Sequence, residues 1–204
     1  DITTTDDNLI FNRAVTLDGN AVLDTGTSGN LLFQSTVATG GNNLDLDAGA
    51  SGHISLANSL SGGGILTIVD SLDTNFSGTV NVATVDIQDT TNRVEFSGNT
   101  TLTSGLTTAN AGYDIAFTGA SNSIAGGTNF LNTGTVTLGN ETTDSITFVD
   151  GLGTTGNGSN PGTVVLAGSI FTTNSPMDLG AVGLTAATSL VTGTGSSAAL
   201  NVGA

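Results

Sequence analysis

Residues 8–33 read NLIFNRAVTLDGNAVLDTGTSGNLLF, and the stretch ends by starting again. Asn8-Leu9-Ile10-Phe11 returns as Asn30-Leu31-Leu32-Phe33, with an apolar residue, one spacer and a Phe in the same order. The two-residue mark recurs as Ile54 and Leu56, Val94 and Phe96, Ile115 and Phe117, and Ile146 and Phe148. Successive marks are 22, 23, 40, 21 and 31 residues apart. The step of 40 holds a weaker unit at Phe76, and the step of 31 reads as one unit with an insertion of about ten residues near Gly126. A repeat of twenty-odd residues cannot bury an apolar face alone and must stack on copies of itself.

Inside each unit, short alternating runs such as Val15/Leu17 and Leu44/Leu46 are broken by Gly, Asn and Asp. Alternation with a period of two marks strands, and the breakers mark turns. The expected fold class is therefore all-β, a parallel β-helix (β-solenoid) of about 20–23 residues per coil. Leu9, Leu31, Ile54, Val94, Ile115 and Ile146 would form one internal column, and Phe11, Phe33, Leu56, Phe96, Phe117 and Phe148 a second. An antiparallel β-sandwich is the alternative, but it needs no matching register marks. The expected organisation is one solenoid segment over 1–204, part of a longer chain. It has regular coils at 8–150, an irregular loop at 151–161 before Pro161, and looser, Ala- and Gly-rich coils at 162–204.

Two Lys and Arg residues stand against 17 Asp and Glu, a formal net charge of −15. Such a chain has no basic footprint for nucleic acid or anionic lipid. No run of 18 apolar residues occurs, so membrane insertion as a helix is not expected. There is no Cys, which excludes a disulfide scaffold and thiolate metal sites. The chain opens at Asp1 without Met, a basic leader or an apolar leader, and reads as a piece of a longer exported protein. Nothing in the opening DITTTDD or the closing LNVGA caps a solenoid end. Continuation by more coils, or head-to-tail stacking of identical copies, is therefore expected.

Units such as NLIFNRAVTLDGNAVLDTGTSGNLLFQSTV resemble the β-strand repeats of giant bacterial exoproteins, the filamentous-haemagglutinin-like and autotransporter-passenger class, most clearly over 8–150 and less so after it. That resemblance implies a right-handed parallel β-helix, exported to the extracellular side or the bacterial cell surface. It would act as an adhesin, stalk or filament with a cell-surface or glycan partner. It supplies no functional residue.

Candidate chemistry is sparse. In NNLDLDAG, alternation puts Leu44 and Leu46 inside and Asp45 and Asp47 outside. With Asn43 these form a calcium candidate, since hard cations take carboxylate and amide oxygens, although no intact GGxGxD repeat accompanies them. Two outward carboxylates on one strand also suit a polysaccharide-active enzyme. With one Tyr, no Trp and only Arg13 and Arg93 as strong cations, neither a sugar platform nor a polyanion clamp is evident. His53 is alone, Gly62-Gly63-Gly64 lacks the Lys of a phosphate loop, and Thr-x-Thr triplets at 101–103 and 135–137 are too few for an ice-binding array. Asn8 and Asn30 share a unit position and are expected to stack as an internal amide ladder. The functional expectation is a non-enzymatic structural or adhesive module with no cofactor, calcium being the candidate ion. The alternatives are a polysaccharide-active β-helix enzyme and a calcium-dependent surface-layer or fibre protein.

Overall fold

Branched Val, Ile and Thr fill pleated positions well, while Gly, Asn and Asp tolerate the backbone of tight corners. The computed structural model describes residues 1–156 and 158–203 and realises that division as stacked strands, with no helix among the described residues. Every strand pairing is parallel, and the chain winds through about nine coils. It is a β-solenoid and not a sandwich.

Each coil adds one rung to each of three ladders. The first ladder runs through Ile2–Thr3, Ala21–Asp24, Leu44–Asp47, Ile65–Asp70 and the second halves of Val80–Ile87 and Thr100–Thr108. It resumes with Thr128–Asn129, Leu152–Gly153, Met177–Leu179 and Leu200–Val202. At the break, the Thr108 hydroxyl accepts the Leu131 N–H at 2.8 Å and donates to the Asn129 carbonyl at 3.3 Å. The second ladder holds Leu9–Phe11, Leu31–Phe33, His53–Leu56, Asp73–Phe76, Arg93–Phe96, Asp114–Phe117 and Thr135–Leu138, then the first halves of Thr163–Thr172 and Val182–Val191. The third ladder holds Val15–Thr16, Val37–Ala38 and Leu60–Ser61, then the first parts of Val80–Ile87 and Thr100–Thr108. It continues through Ser121–Ile124, Ser145–Phe148 and the second halves of Thr163–Thr172 and Val182–Val191.

In-register stacking turns the repeat marks into continuous interior columns. On the second ladder, Leu31, Ile54, Thr74, Val94, Ile115, Val136 and Val164 follow one another, each at most 1% exposed. Beside them run Phe33, Leu56, Phe76, Phe96, Phe117, Leu138 and Leu166. Phe76 and Phe96 stack with ring centroids 4.9 Å apart, Phe96 and Phe117 at 4.7 Å, and Phe11 and Phe33 at 4.8 Å, all within 10° of parallel. Those separations are the spacing of paired strands, so the backbone fixes the ring geometry.

Corners need close backbone approach. A Cβ on Gly98 would lie 2.1 Å from the carbonyl oxygen of Gly78, and one on Gly119 would lie 2.3 Å from that of Gly98. Three successive glycines therefore let the coils close at one corner. At another corner Gly26 and Gly49 adopt φ of +75° and +63°, the left-handed region that costs glycine least.

One part of the expected register is corrected. Ile146 and Phe148 do not belong to the second-ladder columns. They pair with Asn122 and Ile124 in the coil before and with Ile170 and Thr172 in the coil after, all on the third ladder. Val136 and Leu138 take the expected places. Both ladders require alternating apolar residues facing inward, so the same mark arises on either, and spacing alone cannot tell them apart. The coil starting at Asp114 is thus of ordinary length, ends before Thr135 and carries no ten-residue insertion. The widening follows Leu138 instead of lying near Gly126, through the turn at 139–144 and the segment at 154–162. In that turn the buried Asp144 carboxylate accepts the N–H groups of Asn140 and Glu141. Of the expected loop, Leu152–Gly153 is a strand. Asn157 in that loop, and Ala204 at the end of the expected final coils, lie outside the described residues.

Phe96 sits between two rings, so Phe96→Ala removes two stacks and leaves a cavity. It should lower unfolding stability by about 3–5 kcal/mol in denaturant titration. Phe96→Leu, which puts there the residue that already occupies this column at positions 56 and 138, should cost under about 1.5 kcal/mol.

Candidate functional site

Leu44 and Leu46 are fully buried, so Asp45 and Asp47 point outward as their alternation requires. The stacking then decides what each carboxylate meets. Asp45 lies between Val22 and Thr67. Asp47 lies between Asp24 and Asp70, which makes a column of three aspartates on consecutive coils. A one-residue irregularity after Ile68 brings Asp70, not Val69, into that column. Asp24 and Asp47 each use one carboxylate oxygen to accept the N–H two residues on, from Gly26 at 2.8 Å and Gly49 at 3.0 Å. Burial first, then the charges of Asp89 and Asp47, push the Asp70 carboxyl above its ordinary value. The exposed Asp6 behaves oppositely. Its carboxylate accepts the Thr27 N–H at 2.7 Å and the Thr27 hydroxyl at 2.9 Å, and these bonds hold its pKa down.

Asn43, the third member of the calcium candidate, is already engaged: its amide oxygen accepts the Ile65 N–H one coil on, at 3.0 Å. Asn43, Asp45 and Asp47 thus lie along one strand edge with separate neighbours. Among the described residues no three His, Cys, Asp or Glu side chains converge in a group fit for a metal.

Asn43 belongs to a wider device. The Asn8 amide oxygen accepts the Asn30 N–H, and that of Asn30 accepts the His53 N–H, both at 2.8 Å. Asn20 serves Asn43 in the same way, Asn99 serves Ser121, and the Asp114 carboxylate serves Thr135. The expected amide ladder exists, with two differences. It lies at exposed corners rather than in the interior, and each side chain bonds the backbone of the next coil rather than the next amide. A corner N–H that would otherwise face water receives a fixed acceptor.

The other sequence candidates are dispersed. His53 Nδ1 lies 3.5 Å from an Asp73 carboxylate oxygen on an open surface. Arg93 contacts Glu95 at 3.2 Å on its own strand, and the two border a cleft of about 260 Å³ with Asp73, Thr74 and Asn75. A second cleft, of about 130 Å³, opens where Gly153 leaves the outward column between Asn129 and Asp178 without a side chain. Thr101 and Thr103 belong to the strand Thr100–Thr108, which contributes to the third and first ladders, whereas Thr135 and Thr137 lie on the second. The two triplets share no face.

No protein family matches this chain, and no curated protein or solved structure is significantly similar to it.

The carboxylate column makes a pH prediction. An acid whose folded pKa is raised is penalised in its charged form, so it costs no stability below its ordinary value of 3.8. The penalty grows as the pH rises through the folded value and is complete near neutrality. Asp70→Asn should therefore raise the Tm at pH 7 by roughly 1–2 °C, a small gain because solvent screens the column. At pH 3 the two proteins should melt together.

Proposed function

We propose that this chain is a non-enzymatic, rod-forming module of an extracellular bacterial surface protein, serving as a stalk or adhesive spacer. The observation that carries the reading is where its polar side chains go. Asn8, Asn20, Asn30, Asn43, Asn99 and Asp114 each tie one coil to the backbone of the next. Their hydrogen bonds serve propagation of the rod, and the apolar interior is filled from coil to coil.

The extracellular placement is supported by the resemblance of the repeats to exoprotein strands, and the acidic composition is compatible with it. The end coils fit the same reading. Ile2 at one end, and Leu184, Leu200 and Val202 at the other, continue the inward columns of Leu23, Leu166, Met177 and Leu179 and are exposed. Each end presents strand edges in the same order of ladders, so further coils of the same polypeptide, or a second copy stacked head to tail, can continue the columns.

A rod module is defined by its length, which coil number sets. Residues 73–92 make one whole coil, because Asp73 pairs with Arg93. Three extra copies of that coil should lengthen the rod by about 15 Å in small-angle scattering while the chain stays folded. Loss of a chemical activity on deleting that coil, with the fold intact, would contradict the proposal. The structural reading requires no metal, so the Tm should be equal in calcium and in EDTA, and a fall of several degrees in EDTA would count against it.

A further inference from the structure

The three ladders differ in charge. Strands of the first carry Asp24, Asp45, Asp47, Asp70, Asp86 and Asp178, and those of the second carry Asp73, Arg93, Glu95 and Asp114. The third-ladder segments carry no charged residue from Val15 to Val191, in a chain of net charge −15. Their outward side chains make two columns along the rod. One runs Thr16, Ala38, Ser61, Asn81, Thr101, Ser123 and Thr147, and ends on Phe171 and Val191. The other is Ser121, Ser145, Ser169 and Ser189 in strict succession.

The outward hydroxyls of this face, those of Thr101, Ser121, Ser145, Thr147 and Ser169, make no hydrogen bond to another described residue, as is also the case for the outward Ser55 and Thr137 of the second ladder. One further feature sets this face apart. Phe171 points outward. Ile170 and Thr172 on either side of it are buried, while Phe171 is only partly buried, between Thr147 and Val191. Phe33, Phe76, Phe96, Phe117, Phe130 and Phe148 all face the core.

We propose that this face holds a neutral polysaccharide, an extended chain of uncharged sugars lying along the rod axis with one ring stacked on Phe171. Sugar hydroxyls are both donors and acceptors, as are the Ser, Thr and Asn side chains that await them. Anionic glycans are disfavoured, because the face supplies no cation and the flanking ladders are acidic. The coil spacing of about 4.8 Å offers a fresh outward polar group on most coils, and two on the coils of Ser121/Ser123 and Ser145/Thr147, at intervals close to the length of one sugar unit in an extended chain. An aromatic ring in line with those groups is the apolar platform that a sugar's C–H face takes. A second copy of the rod is the poorer occupant: small hydroxyl side chains bury little apolar area to offset the approach of two chains of charge −15. The inference rests on the adhesive reading above and names its surface and partner class.

The test is retention of the intact chain on amorphous cellulose, an insoluble β-1,3-glucan and starch, with polygalacturonate gel as the anionic control. Phe171→Ala, Thr147→Asp and the second-face control Thr137→Asp are compared after melting curves show that each is folded. The chain should be held by at least one neutral glycan. Phe171→Ala and Thr147→Asp should each weaken retention about tenfold, and Thr137→Asp should leave it unchanged. The proposal is overturned by no retention on any neutral glycan, by retention on polygalacturonate alone, or by equal retention of all variants. A dimer in sedimentation that Thr147→Asp abolishes would also overturn it, by assigning the face to self-pairing. If coil duplication still lengthens the rod while retention is absent, only the glycan face fails. If duplication does not lengthen the rod, the module reading fails with it.

Discussion

Parallel pairing at one strand spacing obliges each residue to meet its own equivalent in the next coil. Backbone hydrogen bonding sets that spacing, and every side chain must live with the repetition. For Phe76, Phe96 and Phe117 the outcome is a continuous ring stack. For Asn8 and Asn30 it is an acceptor delivered to the N–H of the following coil. For Asp24, Asp47 and Asp70 it is a row of like charges, which the chain relieves in part by giving Asp24 and Asp47 a turn N–H to accept. Where two coils come too close for any side chain, Gly78, Gly98 and Gly119 follow one another. Repetition therefore amplifies favourable and unfavourable contacts alike, and the sequence is selected column by column.

The same rule allows three faces of one rod to differ in character. A residue type chosen for an outward position is repeated up the axis, so charge gathers on the first ladder while the third stays neutral over its whole length. In a globular domain such segregation would need distant segments to agree. In a solenoid it follows from local substitution within each coil.

The sequence made the solenoid legible because two signals coincide in it: alternation with a period of two, and its return every twenty-odd residues. The column from Leu9 to Ile115 and its Phe partner were readable for that reason. Ile146 and Phe148 were misplaced because the second and third ladders ask for the same inward pattern, and a widened coil intervenes after Leu138. The aspartate column carried a usable signal: Asp24, Asp47 and Asp70 are each separated by 23 residues. Alternation drew the eye to Asp45 and Asp47 on one strand instead, although their neighbours are set by the coils above and below. The neutral face was harder to read. Its outward columns emerge only once every corner has been counted, and corner lengths vary from coil to coil. The outward direction of Phe171 is fixed only by the pairing of Ser169 to Phe171 with the coils on both sides.

Every column of the rod depends on coil-to-coil register, and engineered disulfides read register directly. The chain has no cysteine, so every thiol is a placed one. Asn75 and Glu95 are partners on adjacent coils, within the Cα separation that a disulfide spans, whereas Asn75 and Arg93 are displaced by two residues along the strand. Under mild oxidation the Asn75→Cys/Glu95→Cys protein should close a disulfide within the monomer, nearly quantitatively and without loss of thermal stability. The Asn75→Cys/Arg93→Cys protein should remain reduced. Equal closure of both pairs, or closure of the displaced pair alone, would contradict an in-register parallel solenoid.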